Sequence, residues 1–545
     1  MALKQVPNYR TPQRSAATQT HKKLVLPPPV GGLNSKDPLA TMDGKDAQIL
    51  ENFICRPRGA ELRGGWQDVL ESPFTGEVST LMSYRATNPA DNKLFACVGN
   101  SVFDVTPALD TADPLEPLPT LEVAEGVDHG YWSSLSYSLK TDKYLCAVAN
   151  GAGYYTYDAA GGWVKREITG VDHDNLTSIA VWKNRLWFTQ LNSSEVFYLG
   201  IGEVLGGEAK FFDYGPMFKR GGSVVAITNW TMDAGNGTDD YQLIFGSGGD
   251  VLVYKGTDPS NMETYTLVGV WSIGRYPRGD RFFTNYGGDV LVLSELGLTS
   301  MQQLITGNAS AVGEMNPIIN KIAEQLMHRL APGKTVGFWE VRYSSDIESV
   351  LLIAPRKGGG SYEHYCLGLA ARGWSTFTAM TIKTMTMHDR KTYIGTPDGR
   401  VGHAFDVNND AMGVKKSRMT DLGQPVRGRV LSAYTDFGVG ANLKRFLLAR
   451  PIFMCAHPPS VAVRMRMDYA SNTSVSLPTY ARTDIATWDA AIWDQAYWSG
   501  SDNVFHVWTG ILGVGYLGAL DLMIEGERGL MYLGSHITAE VGGML

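Results

Sequence analysis

The sequence predicts an all-β protein on three observations: 61 glycines in 545 residues, a heavy aromatic content of 25 Tyr, 19 Phe and 13 Trp, and short apolar runs that recur between polar turns. Glycine supplies the backbone freedom that tight turns need, while aromatic and β-branched side chains pack best on a pleated surface. The length is far beyond the size at which one small core suffices, so a large closed β domain with a smaller companion is expected.

The strands follow in order. Val78–Tyr84, Lys93–Val98 and Ser101–Val105 form a first unit; Tyr131–Leu139, Tyr144–Ala149 and Tyr154–Tyr157 a second. Thr177–Trp182, Arg185–Thr189 and Val196–Leu199 repeat the order, as do Val224–Thr228, Tyr241–Phe245 and Val251–Tyr254. Arg281–Asn285 and Asp289–Leu293 begin a further unit. Gly337–Tyr343, Ser349–Ala354, Glu363–Leu367 and Trp374–Phe377 make the next, and Thr384–His388, Thr392–Gly395 and Gly399–Phe405 close the series. An open sheet of this size would leave long edges, whereas radially repeated blades protect them. The spacing therefore predicts a β-propeller of roughly six or seven blades over residues 76–420.

The flanks differ from this body. Residues 1–30 are basic (Lys4, Arg10, Arg14, Lys22, Lys23) and end in Leu26-Pro27-Pro28-Pro29, a composition that favours an extended arm that orders on a partner. Residues 31–75 form a lead-in segment in which Asp46–Phe53 reads as a short helix. Beyond 421 the blade spacing is lost, and Arg429–Asp436, Phe446–Met454, Val461–Met467 and Val504–Thr509 predict a C-terminal β domain to residue 545. One helix is expected inside the body: Asn316-Pro317 is a cap with proline at the first turn, and Ile318, Ile319, Ile322 and Leu326 form one apolar stripe.

A formal charge of −7 and a pI near 5.9 argue against a dedicated nucleic-acid binder. The cysteines Cys55, Cys97, Cys146, Cys366 and Cys455 are odd in number, widely spaced and without a C-x-x-C pair, which predicts reduced core thiols. No signal-peptide h-region follows the basic N-terminus, so synthesis in a cytoplasm is expected and the N-x-S/T sequons read as polar turns. The nearly uncharged run Val507–Leu520 is short and rich in glycine, which predicts sheet and no membrane span.

The search for chemistry yields no catalytic, cofactor-binding or metal-binding residues. Gly333-Lys334-Thr335 resembles the end of a phosphate loop, but His328 stands where the motif needs its first glycine. Gly358-Gly359-Gly360 separates two strands and reads as a hairpin turn. The ten histidines are scattered, with no H-E-x-x-H. The acidic turns 233–240 and 406–410 could offer oxygen ligands to calcium, yet they lack EF-hand spacing and read as solvated hairpin tips. Neither a nucleophile elbow nor a repeated S-x-D-x-G-x-x-W box is present. Trp488-Asp489, Trp493-Asp494 and Trp498 stand five residues apart; core residues of the second β domain and aromatic platforms at a surface are the competing readings.

The two ends of the chain carry a family resemblance. Leu26-Pro27-Pro28-Pro29-Val30-Gly31-Gly32-Leu33-Asn34, followed by Asp37-Pro38, Met42, Asp46-Ala47, Leu50, Asn52 and Gly59 to Gly65, resembles the N-terminal region of tail nozzle or tail-tube-like virion proteins of short-tailed bacteriophages. The strand Phe446–Pro451 and the Trp488 to Trp498 segment are similar to the same family. The resemblance implies a non-enzymatic structural protein of the virion tail, made in the host cytoplasm. It also implies a homo-oligomeric, usually sixfold ring below the portal and adaptor, anchoring adaptor and tail fibre proteins. Genome DNA would pass through without sequence-specific binding. The alternatives are a receptor-binding or fibre-attachment propeller that presents aromatics such as Tyr154, Tyr155, Tyr157 or Trp493 to host glycans, and a polysaccharide depolymerase.

Overall fold

The computed structural model describes residues 21–544 apart from 110–118, 124–129, 141, 234–237, 262, 296, 306–320, 323–325, 327–337, 357–359, 406–419, 423, 441, 456–457, 471–502 and 527–528. Among these, strands dominate and the chain is a β-propeller joined to a β-sandwich.

Seven antiparallel sheets follow one another, six of four strands and one of three. The first four blades open at Val78–Tyr84, Ser133–Leu139, Leu176–Trp182 and Val224–Asp233. The three-stranded fifth runs Phe283–Tyr286, Asp289–Ser294 and Gly297–Ser300; the sixth and seventh open at Glu340–Ser344 and Thr384–His388. The opening strands of successive blades lie against one another, with that of the fourth against the middle strand of the fifth, and the seventh returns to the first. Aromatic and aliphatic side chains fill the wedges between blades: Phe95, Trp132 and Leu145 between the first and second, and Trp187, Tyr214 and Tyr254 between the third and fourth.

The seventh blade supplies only three strands from its own stretch. Its fourth is Trp66–Asp68, antiparallel to Val401–Ala404, and Arg400 reaches Asp68 at 2.6 Å. Blades closed by a distant strand need no covalent lock, because the ladder itself holds the two ends of the ring together.

The sixth blade does not end at its outer strand, Gly373–Phe377. Gly32–Leu33 and Asp46–Glu51 pair parallel to it, and Arg427–Ser432, Gly518–Glu525 and Ser460–Met467 extend the sheet to nine strands. This continuation is one layer of the sandwich. The other contains Phe53–Arg56, Gly59–Leu62, Asn442–Cys455, Asn503–His506, Thr509–Gly515 and Met531–Met544. One core spans the joint, with Leu50, Phe53, Phe446, Leu522 and Ile537 all buried.

Several expectations are corrected here. Asp46–Phe53 is not a helix: Asp46–Glu51 and Phe53–Arg56 are strands. Ala, Gln, Leu and Glu favour helix weakly, but pairing on both edges of the first strand and full burial of Ala47 and Leu50 outweigh a few tenths of a kcal/mol per residue. The segment expected to order on a partner is, from His21 to Leu26, a strand antiparallel to Ser535–Glu540 of its own chain, with Leu24 and Leu26 buried. The lead-in segment likewise contributes strands to both parts of the molecule. The expected helix after Pro317 lies outside the described residues except for Lys321, Ile322 and Leu326, the last two buried in the common core.

Two buried ion pairs mark the junction. Arg63 donates to both carboxylate oxygens of Asp421, to Asn52 Oδ1 and to the Thr378 carbonyl. Asp521, on the next-to-last strand of the nine-stranded sheet, accepts from Arg466 at 2.6 Å and from Arg429 at 3.4 Å. Charges buried in this way persist because each carboxylate is met by a guanidinium and further hydrogen bonds. No helix among the described residues is long and apolar enough to cross a membrane.

Candidate functional site: the axial mouth of the propeller

In each blade the connection into the first strand and the turn between the second and third strands emerge on one face, so loops from different blades meet around the axis there. They enclose a cavity of about 300 Å³ lined by Asn150 and Tyr131 of the second blade, Gln190 and Asn192 of the third, and Ser247 of the fourth. Tyr276 to Asp280, on the way into the fifth blade, and Phe338, ahead of the sixth, complete the wall.

The cavity wall is a stack of four side chains. Arg281 lies 4.1 Å from the Tyr131 ring centre, Tyr131 and Phe338 are stacked 4.0 Å apart at 17°, and Arg278 lies 4.6 Å from the Phe338 ring. Guanidinium groups on aromatic faces gain from the ring quadrupole, more so when water is excluded. Tyr131 donates its hydroxyl hydrogen to Asp280 at 2.7 Å and accepts the Asp280 N–H at 3.2 Å. Burial, then the Asp280 charge, push the Tyr131 hydroxyl well above its ordinary pKa, so it stays a neutral donor. Gly279 permits this approach: its φ is +100°, and a Cβ there would sit 2.7 Å from the Tyr131 oxygen.

Directly below, Arg281 plugs the axis. It donates to the Ser79 and Trp132 carbonyls, to the Thr80 and Thr384 hydroxyls and to Glu340 at 2.9 Å, joining the first, second, sixth and seventh blades. Glu340 is also held by Arg342 at 3.0 Å and by the Met385 N–H at 3.1 Å. Burial alone would raise the Glu340 carboxyl, but the two guanidiniums and the Met385 N–H hold it below the usual carboxylate range. The site therefore presents a cation, hydroxyls, amides and aromatic edges to a ligand. Its carboxylates are engaged, Asp280 by Tyr131 and Glu340 by two arginines, so the pair of open, facing carboxylates that glycoside hydrolysis needs is not formed by these residues.

The residues singled out in the sequence fall elsewhere. Tyr154 and Tyr155 are buried between blades, and Tyr157 packs edge-on against Tyr84 and Phe95, so none is presented to a sugar. Alternation placed them on a strand, but both faces of a blade are covered. Trp488, Trp493 and Trp498 and the turn 406–410 lie outside the described residues. Of the acidic turn 233–240, residues 234–237 lie outside the described residues, and Asp240, on the strand Thr238–Gly246, is hydrogen-bonded to Lys183, which holds its carboxyl below the ordinary range. Gly360, with φ of +71°, belongs to the hairpin joining Ser349–Pro355 to Tyr362–Gly368. All five cysteines are buried and none of them forms a disulfide. Among the described residues no group of three His, Cys, Asp or Glu side chains is placed to hold a metal. The mouth residues were missed because they come from the loops of five different blades; the only local signal was the run Tyr276-Pro-Arg-Gly-Asp-Arg281, rich in turn-formers and charge.

No protein-family model and no curated protein matches the chain. Solved structures with similar regions include a chain described as BBS1N in complex with ARL6DN, at 11% identity over 42% of this chain and 66% of that one, with a TM-score of 0.28. Others are the extracellular domain of the putative hybrid two component system BT4673 from B. thetaiotaomicron and YCF48 bound to D1 peptide. The first gives 11% identity, 64% and 40% coverage and a TM-score of 0.37; the second 9%, 63% and 95%, and 0.28.

Proposed function

We propose that this chain is a structural subunit of a bacteriophage tail, a nozzle ring that sits below portal and adaptor, conducts genome DNA and anchors neighbouring tail proteins. The observation that supports it best is the nine-stranded sheet that continues from the sixth blade into the sandwich. A shared sheet and a shared core make propeller and sandwich one stiff wedge, the form a ring subunit under load requires. The plugged axis adds a constraint: DNA would pass through the opening between copies and not through any propeller. Light scattering and electron microscopy of the chain, alone and mixed with the virion proteins encoded beside it, test the reading. A closed ring is expected, and a chain that remains monomeric in every mixture would overturn it.

A second reading, recognition of a host glycan, is favoured by one feature, the mouth cavity with its amides, hydroxyls and Arg278. Titration of saccharides against the chain and its Arg278→Ala variant tests it; binding that survives the substitution unchanged would place the sugar elsewhere.

A further inference from the structure

Exposed apolar side chains gather at two places, and the two differ in charge. The first is the outer face of the C-terminal sandwich layer. Val25, Leu448, Val504, Trp508, Leu512 and Val514 are exposed there, Leu512 to 79%. The register puts Met454 opposite Val504, Ile452 opposite His506 and Arg445 opposite Val514, so these side chains share one surface. Arg450 lies 5.1 Å from the Trp508 ring and donates to His536 Nδ1 at 2.6 Å. Burial, then the charges of Lys23 and Arg450, lower the basicity of His536. On this face the five strands (His21–Leu26, Asn442–Cys455, Asn503–His506, Thr509–Gly515, Met531–Met544) carry Lys23, Arg445 and Arg450 against one acid, Glu540, which lies 3.7 Å from Arg445.

The second is the outer rim of the third blade. Ile201, Leu205 and Phe211 are exposed, beside the exposed carboxylates of Glu167, Glu203 and Glu208. The parallel pairing of Ile168–Thr169 with Gly207–Glu208 holds these stretches together. Residues 167–213 carry seven acids against Lys183, Arg185 and Lys210. Contiguous exposed apolar surface rimmed by charge marks a protein contact, and opposite potentials set its orientation.

We propose that the basic apolar sheet face of one copy seats the acidic apolar rim of the third blade of a second copy. The inference rests on the ring reading, whose subunit contact it names. Each surface repels its own duplicate, so the contact is head-to-tail and not two-fold, the kind of contact that generates rings. Trp508 and Leu512 form its apolar centre against Phe211 and Leu205, and Arg445 and Lys23 face Glu203 and Glu208.

Single-cysteine variants of the full chain test this directly, because the native thiols are buried. Leu512→Cys and Phe211→Cys are both at exposed positions. Under mild oxidation a disulfide dimer is expected from the mixture of the two variants and from neither alone, and the double variant is expected to give a ladder. Arg445→Glu should weaken association at least about tenfold in sedimentation, and a Glu203→Lys, Glu208→Lys partner should recover most of it. Dimers from Leu512→Cys alone would mean a two-fold contact and overturn the proposal. A ring that forms without cross-links and ignores charge reversal overturns this contact and leaves the ring reading standing. Cross-linked open chains that never close support the contact and remove the ring. A chain that stays monomeric and uncross-linked, or uses this face only for another protein, overturns the contact.

Discussion

Arg63 and Asp421 are 358 residues apart in the chain and 2.6 Å apart in space, with both side chains almost wholly buried. The pair ties the lead-in strands to the segment that leaves the propeller, and Asn52 and the Gly64 and Thr378 carbonyls take the remaining guanidinium hydrogens. Its position makes the joint between propeller and sandwich measurable.

Removing one partner strands a charge in a dry site. Arg63→Ala is expected to cost about 3–5 kcal/mol in urea unfolding, whereas Arg63→Met with Asp421→Leu should recover much of it. Equal losses in the single and double variants would show that the charge pair itself, and not the orphaned partner, stabilises the joint.

The axial plug predicts a response to acid. Glu340 has a folded pKa below its ordinary value, so its contribution is complete above the usual carboxylate pKa of 4.5 and is lost as pH falls through the folded value. Glu340→Gln should lower stability at neutral pH and flatten this part of the acid limb, read by thermal unfolding from pH 7 downward.

His364 titrates in a separate window. Burial lowers its pKa to about 4, against 6.5 when exposed, and its ring meets Ile382 at 2.9 Å. The folded form binds the proton less readily, so stability is full above 6.5 and declines from there down to about 4, by up to ~3 kcal/mol. In His364→Gln that decline should vanish between pH 6.5 and 4; an unchanged slope would assign it to other groups.

Gly279→Ala should disturb the mouth. The added methyl meets the Tyr131 oxygen in a backbone region that L-residues rarely adopt, an expected loss of about 1–3 kcal/mol. Near-ultraviolet circular dichroism reports whether the Tyr131–Phe338 stack shifts.

Much of the propeller was legible because each blade repeats a local code: strands such as Tyr241–Phe245 and Val251–Tyr254 announce themselves by β-branched and aromatic content bounded by glycine. Trp66–Asp68 was not legible as the last strand of the seventh blade, since nothing in three residues names a partner more than 300 positions away. Asp46–Glu51 misled for the same reason, its short-range propensity overruled by two neighbours in the sheet. The mouth was hidden more deeply: Tyr131, Asp280 and Phe338 acquire their relationship only after the blades close. Burial of Tyr154 and Tyr155 shows the converse, that an aromatic run in a propeller is more readily wedge filling than a platform.

The strand that closes the seventh blade also sets a timetable. Asp68 leaves the ribosome 332 residues ahead of Arg400, its partner, a wait of about 15–70 s at ordinary rates of synthesis. His21–Leu26 waits longer still, since its partner Ser535–Glu540 lies more than 500 residues downstream. Each nascent chain thus carries two unpaired sticky strands past its neighbours on the same message. The first is hidden once Val401–Ala404 has emerged and the second only with Ser535–Glu540, so premature pairing between unfinished siblings is the hazard that a chaperone would have to suppress.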